Sequence, residues 1–198
     1  MNDIAQETLR MFARTKREIS IHEEYEEAIW PVDVDQGQLQ QVLLNLFVNA
    51  GQAMPGGGDL TLVTNNLILG AHEAKEFGLP PARYVRISIS DSGIGIDEGT
   101  RQRIFEPFFT TKEMGRGTGL GLALVSKIIS DHEGWVSVDS VPGRTVFRIS
   151  LPVAPRDSGD GGTVSISSRR LTMEDSAELR SEERRVGKEG RSRWPPYH

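Results

Sequence analysis

The chain has 198 residues, a formal net charge of -5 and no cysteine, which suffices for one domain of ordinary size with residues to spare and excludes disulfides and thiolate metal sites. No apolar run approaches the roughly 20 residues of a membrane span, Met1-Asn2-Asp3-Ile4 has neither the basic nor the apolar region of a signal peptide, and the acidic balance disfavours nucleic acid as the main partner. The expectation is a chain that works in the cytoplasm with no membrane contact of its own. The hydrophobic fraction of 37% is low enough to suggest that part of the chain lies outside any core.

Asn2 to Arg17 reads as an amphipathic helix, with Ile4, Leu9, Phe12 and Ala13 near helical spacing and Asp3 with Gln6 as a capping-box pair. Ile19-Ser20-Ile21 alternates as a strand does, and Ala28 to Val34, interrupted by Pro31, reads as a turn or an edge strand. Asp35 to Met54 carries the clearest helical pattern. Asp35 with Gln38 forms a capping box, Leu39, Val42, Leu43, Leu46, Phe47 and Ala50 form a wide apolar face, and Pro55-Gly56-Gly57-Gly58 stops the helix. Gln41, Asn45 and Asn49 stand four apart, in one row along the flank of that face. Asparagine competes for backbone hydrogen bonds inside a helix, so two of them among Leu, Phe and Val point to ligand contact.

Asp59 to Leu69 alternates as a strand, Gly70 to Ala82 reads as a loop, and Arg83 to Ser90 is a second strand. That strand runs into Asp91-Ser92-Gly93-Ile94-Gly95-Ile96-Asp97. Thr100 to Ile104 reads as a short helical turn, and Ile104 to Lys112 holds three aromatics around Pro107. Gly115-Arg116-Gly117-Thr118-Gly119-Leu120-Gly121 then leads a helix over Gly119 to Asp131. Two strands follow, Trp135 to Ser140 and Thr145 to Leu151, joined by the turn Val141-Pro142-Gly143-Arg144. This mixture of elements predicts an α/β fold, a two-layer sandwich with helices on one face of a mixed sheet. From Pro155 onward the composition is that of a flexible linker and a polar remainder, and no packed core is expected over residues 154–198.

Glycines at this density let a backbone approach a ligand closely, and a helix opening from such a loop directs free N–H groups at an anion. The two loops together therefore read as a nucleotide pocket. A Walker-type phosphate loop needs Lys-Ser or Lys-Thr after its last glycine, whereas Gly121 is followed by Leu122. A dinucleotide fingerprint needs a third glycine, and here Asp97 runs on to Glu98.

The Asn row, the Asp91 loop, the aromatic stretch and the second glycine loop, in that order, resemble the ATP-binding domain of sensor histidine kinases within the GHKL ATPase superfamily, from roughly Asp3 to Pro152. Asn45 and Asn49 match its N box, Asp91, Gly93 and Gly95 its G1 box, Phe105 to Lys112 its F box, and Gly117, Gly119 and Gly121 its G2 box. The resemblance implies a Bergerat-type fold that binds ATP and Mg²⁺. It implies that Asp91 accepts a hydrogen bond from the adenine amine, that Gly93 and Gly95 let the base lie against the backbone, and that Asn49, in the Asn45/Asn49 region, offers an amide oxygen to Mg²⁺. Asn45 would face the phosphates. Phe109 to Thr118 would form a lid over the triphosphate, with Lys112 and Arg116 as phosphate contacts, and Gly117 to Gly121, with Leu120, would supply N–H donors. Gln52, Ile96, Phe105 and Phe109 complete the implied site, and Thr145 stands near the adenine threonine of the family.

The hairpin before the last strand reads Gly143-Arg144-Thr145, one residue shorter than the family's Gly-x-Gly-Thr, which leaves the position of Thr145 open. His22, His72 and His132 each precede Glu, but none is followed by the proline that marks a phosphoacceptor histidine. The resemblance therefore implies that the accepting histidine belongs to a separate dimerisation hairpin, that residues 1–17 are the junction from it, and that residues 18–153 form the catalytic domain. A full-length homodimer serving a response regulator follows from the same resemblance. A nucleotide-gated interaction module and a superfamily ATPase are the alternatives. The second is disfavoured because no carboxylate lies between Asp35 and Asp59. Residues 180–198 are similar to the translation of a sequencing-adapter oligonucleotide, departing at Gly190 and Pro195, so that stretch is expected to be artificial sequence.

Overall fold

The computed structural model describes residues 1–76, 80, 82–111 and 118–154. Its elements run α1 (Asn2–Thr15), β1 (Ile19–Tyr25), α2 (Gln36–Ala53), β2 (Gly58–Ile68), α3 (Ala71–Glu76), β3 (Arg83–Asp91), α4 (Glu98–Arg101), α5 (Gly121–Asp131), β4 (Trp135–Val141) and β5 (Arg144–Pro152). The five strands form one sheet in the order β1-β2-β3-β5-β4. β1 and β2 are parallel and every other pair is antiparallel, so the sheet is mixed as expected.

Strand alternation sorts the two faces. Val85, Ile87 and Ile89 of β3 and Phe147, Ile149 and Leu151 of β5 are buried. The main core forms where such residues, among them Ile87, Ile89 and Ile149, meet the apolar faces of α1, α2 and α5. α2 is the centre of that layer: Leu39, Val42, Leu43, Leu46 and Phe47 are all within 1% of full burial. α1 lies across it, with the Phe12 and Phe47 rings 5.7 Å apart and Phe12 against Gly51, where a side chain would have its first carbon 3.0 Å from the Phe12 ring.

The departures from expectation are local. Asp3 does not cap α1; Met1 is the N-cap residue and makes no side-chain bond there. Asp35 does cap α2, accepting from Gln38 N at 2.8 Å. The Asp35 N–H, however, donates to His132 Nε2 at the end of α5, at 3.2 Å. The stretch expected to be a loop over Gly70 to Ala82 contains α3, which buries Ala74 with Leu69 and Tyr84. Tyr84 alternates away from Val85 and Ile87, so α3 covers one end of the opposite sheet face. The Pro31 segment, expected as a turn or an edge strand, makes one isolated antiparallel bridge, Val32 to Val153, and Ala154 N donates to Pro31 O. Residues 155–198, including the expected linker and the adapter-like stretch, lie outside the described residues.

α1 buries Ala5, Leu9 and Phe12 in the same core as α2. Phe12→Ala is therefore expected to lower unfolding stability by about 3–5 kcal/mol, whereas Met11→Ala, at a position 46% exposed, should stay within about 0.5 kcal/mol. Urea denaturation of the two variants checks this, and similar midpoints would show that α1 is not part of the folding unit.

Candidate nucleotide-binding site

A cavity of about 490 Å³ opens between the second half of α2, the C-terminal end of β3 and the start of α5, within the roughly 300–1,000 Å³ range of small-molecule sites. Asp91 lies at its base, 4% exposed. Its Oδ1 accepts from Gly93 N at 2.9 Å. No buried side-chain oxygen or nitrogen among the described residues lacks a partner, so the other carboxylate oxygen is the one Asp91 presents to the cavity. Burial pushes the Asp91 carboxyl above the ordinary carboxylate value, partly offset by the Gly93 N–H.

The loop after Asp91 is fixed by steric necessity at two glycines. A side chain on Gly93 would have its first carbon 2.6 Å from Ala53 Cβ, closer than carbon atoms approach. Gly95 has φ +84°, and its first side-chain carbon would lie 2.6 Å from Val141 O. Ile94 N donates to Ala53 O at 3.1 Å, tying the loop to the end of α2.

Asn45, Asn49 and Gln52 all reach the cavity from α2, so the helical row is an observed feature of the wall. Gln41, one turn earlier in that row, does not line it. Gly95, Ile96, Phe109, Thr118, Gly119 and Gly121 also line the cavity, and Asn45 Oδ1 lies 3.7 Å from where a side chain on Gly121 would begin. Thr145 lines it as well. It is 2% exposed and pairs with Asp91 across β3 and β5. The hairpin turn Pro142-Gly143 is a two-residue connection between the paired Val141 and Arg144.

Three expected site residues do not line the cavity. Gly93 is turned against Ala53 at the end of α2, Phe105 packs against the main core, and Leu120 is the exposed N-cap residue of α5. Lys112, Arg116 and Gly117 lie outside the described residues.

These positions also fit the comparisons with known proteins. Residues 34–155 match the family described as histidine kinase-, DNA gyrase B-, and HSP90-like ATPase. The chain belongs to that family. It is 44% identical over 156 residues to the sensor kinase CckA of Brucella abortus (strain 2308), covering 77% of this chain and 16% of that protein. It is 47% identical over 140 residues to the sensory histidine kinase/phosphatase NtrB of Rhodobacter capsulatus, covering 69% and 38%. The chain thus spans less than two fifths of either relative. Among solved structures, the catalytic domain of histidine kinase ThkA, in a nucleotide-free form, superposes with a TM-score of 0.64 at 30% identity, covering 77% of this chain and 92% of that one. The chain therefore contains the counterpart of a histidine kinase ATP-binding catalytic domain.

Within this ATPase-family site, the sequence gives no site expectation for several residues that line the cavity, among them Ala53, Ile94 and Thr100. Ile94, 77% exposed, sits between the two glycines that were singled out. Ala53 and Thr100 carried no local signal, because a helix end and a short turn become walls only through tertiary packing. Phe109 has a further role, lying 4.4 Å beneath the Arg103 guanidinium. The three histidines that precede glutamate are placed as follows: His22 pairs with Asp59 at 3.0 Å, His72 is in α3, and His132 bonds Ile128 O at 2.8 Å.

The raised Asp91 carboxyl has a consequence for stability. A group that binds its proton more tightly when folded contributes stability that is full below its ordinary value, 3.8 here, and lost as pH rises through the higher folded value. Asp91→Asn keeps an acceptor for Gly93 N and removes the charge. In urea denaturation from pH 3.5 upward, the wild type is expected to lose stability relative to Asp91→Asn and to be the less stable of the two at neutral pH. A constant difference across that range would refute the burial argument.

Proposed function

We propose that this domain binds Mg·ATP and presents the γ-phosphoryl group to a histidine on a separate dimerisation hairpin, as the catalytic module of a two-component sensor kinase. The observation that carries the reading is the chemical asymmetry of the cavity. Among its described lining residues Asp91 is the one carboxylate, and it lies at the sheet end, while Asn45 and Asn49 face the cavity from the helix layer. Asp91 accepts the adenine amine. Asn45 faces the phosphates, and Gly119 to Gly121, leading into α5, turn N–H groups toward them. Gln52, Ile96 and Phe109 bound the nucleotide on the cavity wall, and Lys112 and Arg116, with Gly117, contact the triphosphate.

The donor set suits a hard cation. Among the described residues no group of three or more His, Asp or Glu could hold a metal alone, but Asn49 and Asn45 offer neutral oxygens of the kind that Mg²⁺ accepts beside phosphates and water. Such an ion supplies charge neutralisation of the triphosphate. The chain's own residues position the nucleotide for in-line transfer, in which the γ-phosphorus–oxygen bond to ADP breaks as a bond to imidazole nitrogen forms. No carboxylate base is needed, since neutral imidazole is itself the nucleophile. A response regulator then receives the phosphoryl group from the full-length homodimer, and dependence on ATP assigns this module to the cytoplasm.

Asn49→Ala and Asp91→Asn are each expected to weaken Mg·ATP binding at least about 10-fold by calorimetry, since each removes a polar contact inside the site. Labelled ATP with a separately expressed phosphoacceptor hairpin should yield acid-labile phosphohistidine. Unchanged binding in both variants would remove the site assignment. Binding without transfer would favour the nucleotide-gated interaction module instead.

A further inference from the structure

We infer that α1 sets the position of the loop after β3 through one seat, the Phe12 ring against Gly51, so that the placement of α1 on α2 tunes nucleotide affinity. Phe12 and Gly51 are positioning residues and touch no ligand. The inference rests on reading the cavity as an ATP site and adds a route by which that site is regulated. The family match covers residues 34–155, which leaves α1 outside it.

Inside a helix, glycine is less stable than alanine. Gly51 stands in the last turn of α2, at a place where a methyl group would disturb a contact. That contact is Phe12. A first side-chain carbon on Gly51 would lie 3.0 Å from Phe12 Cζ, 3.3 Å from Phe12 Cε2 and 3.6 Å from Ile19 Cδ1. The Phe12 ring is 3% exposed and lies 5.7 Å from the Phe47 ring, so it has little room to retreat.

The loop rests on the other side of the same turn. At about 3.6 residues per turn, Ala53 projects about 200° round the helix from Gly51, away from α1. A side chain on Gly93 would begin 2.6 Å from Ala53 Cβ, Ile94 N donates to Ala53 O at 3.1 Å, and Ser92 Oγ donates to Met54 Sδ at 3.5 Å. Three consecutive loop residues thus sit on the two residues that end α2. Phe12, the turn and the loop form a stack with little clearance at either contact, and each contact is made at a glycine. Ala50, Gln52 and Ala53, beside Gly51 in the same turn, line the cavity. A shift of α1 is therefore passed on to the cavity wall and the loop.

Gly51→Ala drives a methyl group between ring and turn, and the turn moves toward Gly93, where no space is left. Phe12→Leu removes the ring atoms which that methyl group meets and keeps the position apolar, so the two changes together come closer to conserving volume. A packing defect alone lowers global stability. The seat predicts instead a local loosening and a loss of affinity that the second change repairs.

The test uses the 198-residue chain carrying Gly51→Ala, Phe12→Leu or both. In nucleotide-free protein, Gly51→Ala is expected to speed amide exchange at Ile94 about 10-fold relative to Ile87 in the middle of β3. The double variant should return that ratio to within about 3-fold of wild type. By calorimetry, Mg·ATP binding should weaken about 5-fold in Gly51→Ala and recover to within about 2-fold in the double variant. Equal acceleration at Ile94 and Ile87 would mark a global loss of stability and overturn the proposal. So would losses that add in the double variant, or a Gly51→Ala protein that binds Mg·ATP as the wild type does. A wild type that bound no Mg·ATP would sink the ATP reading and the tuning of affinity with it, while the exchange ratio would still decide whether the seat holds the loop.

Discussion

The sheet end of the cavity depends on one steric constraint: the loop after β3 threads between two fixed pieces of backbone. On one side is the last turn of α2, against which Gly93 is pressed and to which Ile94 N is bonded. On the other is the end of β4, whose Val141 carbonyl occupies the space a side chain on Gly95 would need. The loop has little freedom to relax, so its shape is inherited from the packing of α2 on the sheet and from the β4–β5 hairpin. The site is thus downstream of the core. Leu43, Leu46 and Phe47 hold α2 in place, α2 fixes Ala53, and Ala53 fixes the loop that frames Asp91.

A buried carboxylate works against this packing. Desolvation disfavours its charged form, and a single backbone N–H compensates only in part. The sheet around it offers no cation: Thr145 faces it from β5, and Leu60 pairs with it on β2. Such an acid is a poor contribution to the stability of the empty fold, and it leaves in the cavity an acceptor already stripped of most of its water. The wall around it tolerates this arrangement because Asp91 is the last residue of β3. One residue further along, Ser92 is exposed and bonds Asp59 N through its hydroxyl at 2.9 Å.

The sequence made legible what local chemistry determines. The cap at Asp35 and the apolar face of α2 follow from spacing within one helix, and so does the row that brings Asn45 and Asn49 to one wall. The alternation through Ile87 and Ile89 continues to Asp91, which the structure buries on the same face. What could not be read depends on partners far away in the chain. Asp35 with Gln38 looked like a closed capping box, yet the Asp35 N–H is taken by His132, 97 positions later. Asp3 looked like a cap, but α1 begins at Asn2, whose side chain accepts from Thr64 Oγ1 and donates to Glu26 O. α3 was hidden because its short sequence has no amphipathic period of its own; Ala74 is buried by Tyr84, on the next strand. The contact between Ser140 and Thr145 gave no signal either, since it arises only from the register of β4 against β5.

The two ends of the cavity are also built from different materials. The sheet end is made from ladder-bonded strands, where Asp91 and Thr145 are register partners. The opposite end is made from side chains on α2 and the opening of α5, meeting near Asn45 and Gly121. Between them, Phe108 holds φ +65° while 75% exposed. For a bulky side chain that conformation costs on the order of 1–3 kcal/mol and persists only when its surroundings enforce it. The enforcing contact is present: Phe108 N donates to Gly119 O at 3.0 Å, closing the backbone onto the residue two before α5 begins. The strain at Phe108 is therefore the cost of bringing the aromatic stretch to the helix opening. That junction lets Phe109 and Gly119, far apart in sequence, face one cavity.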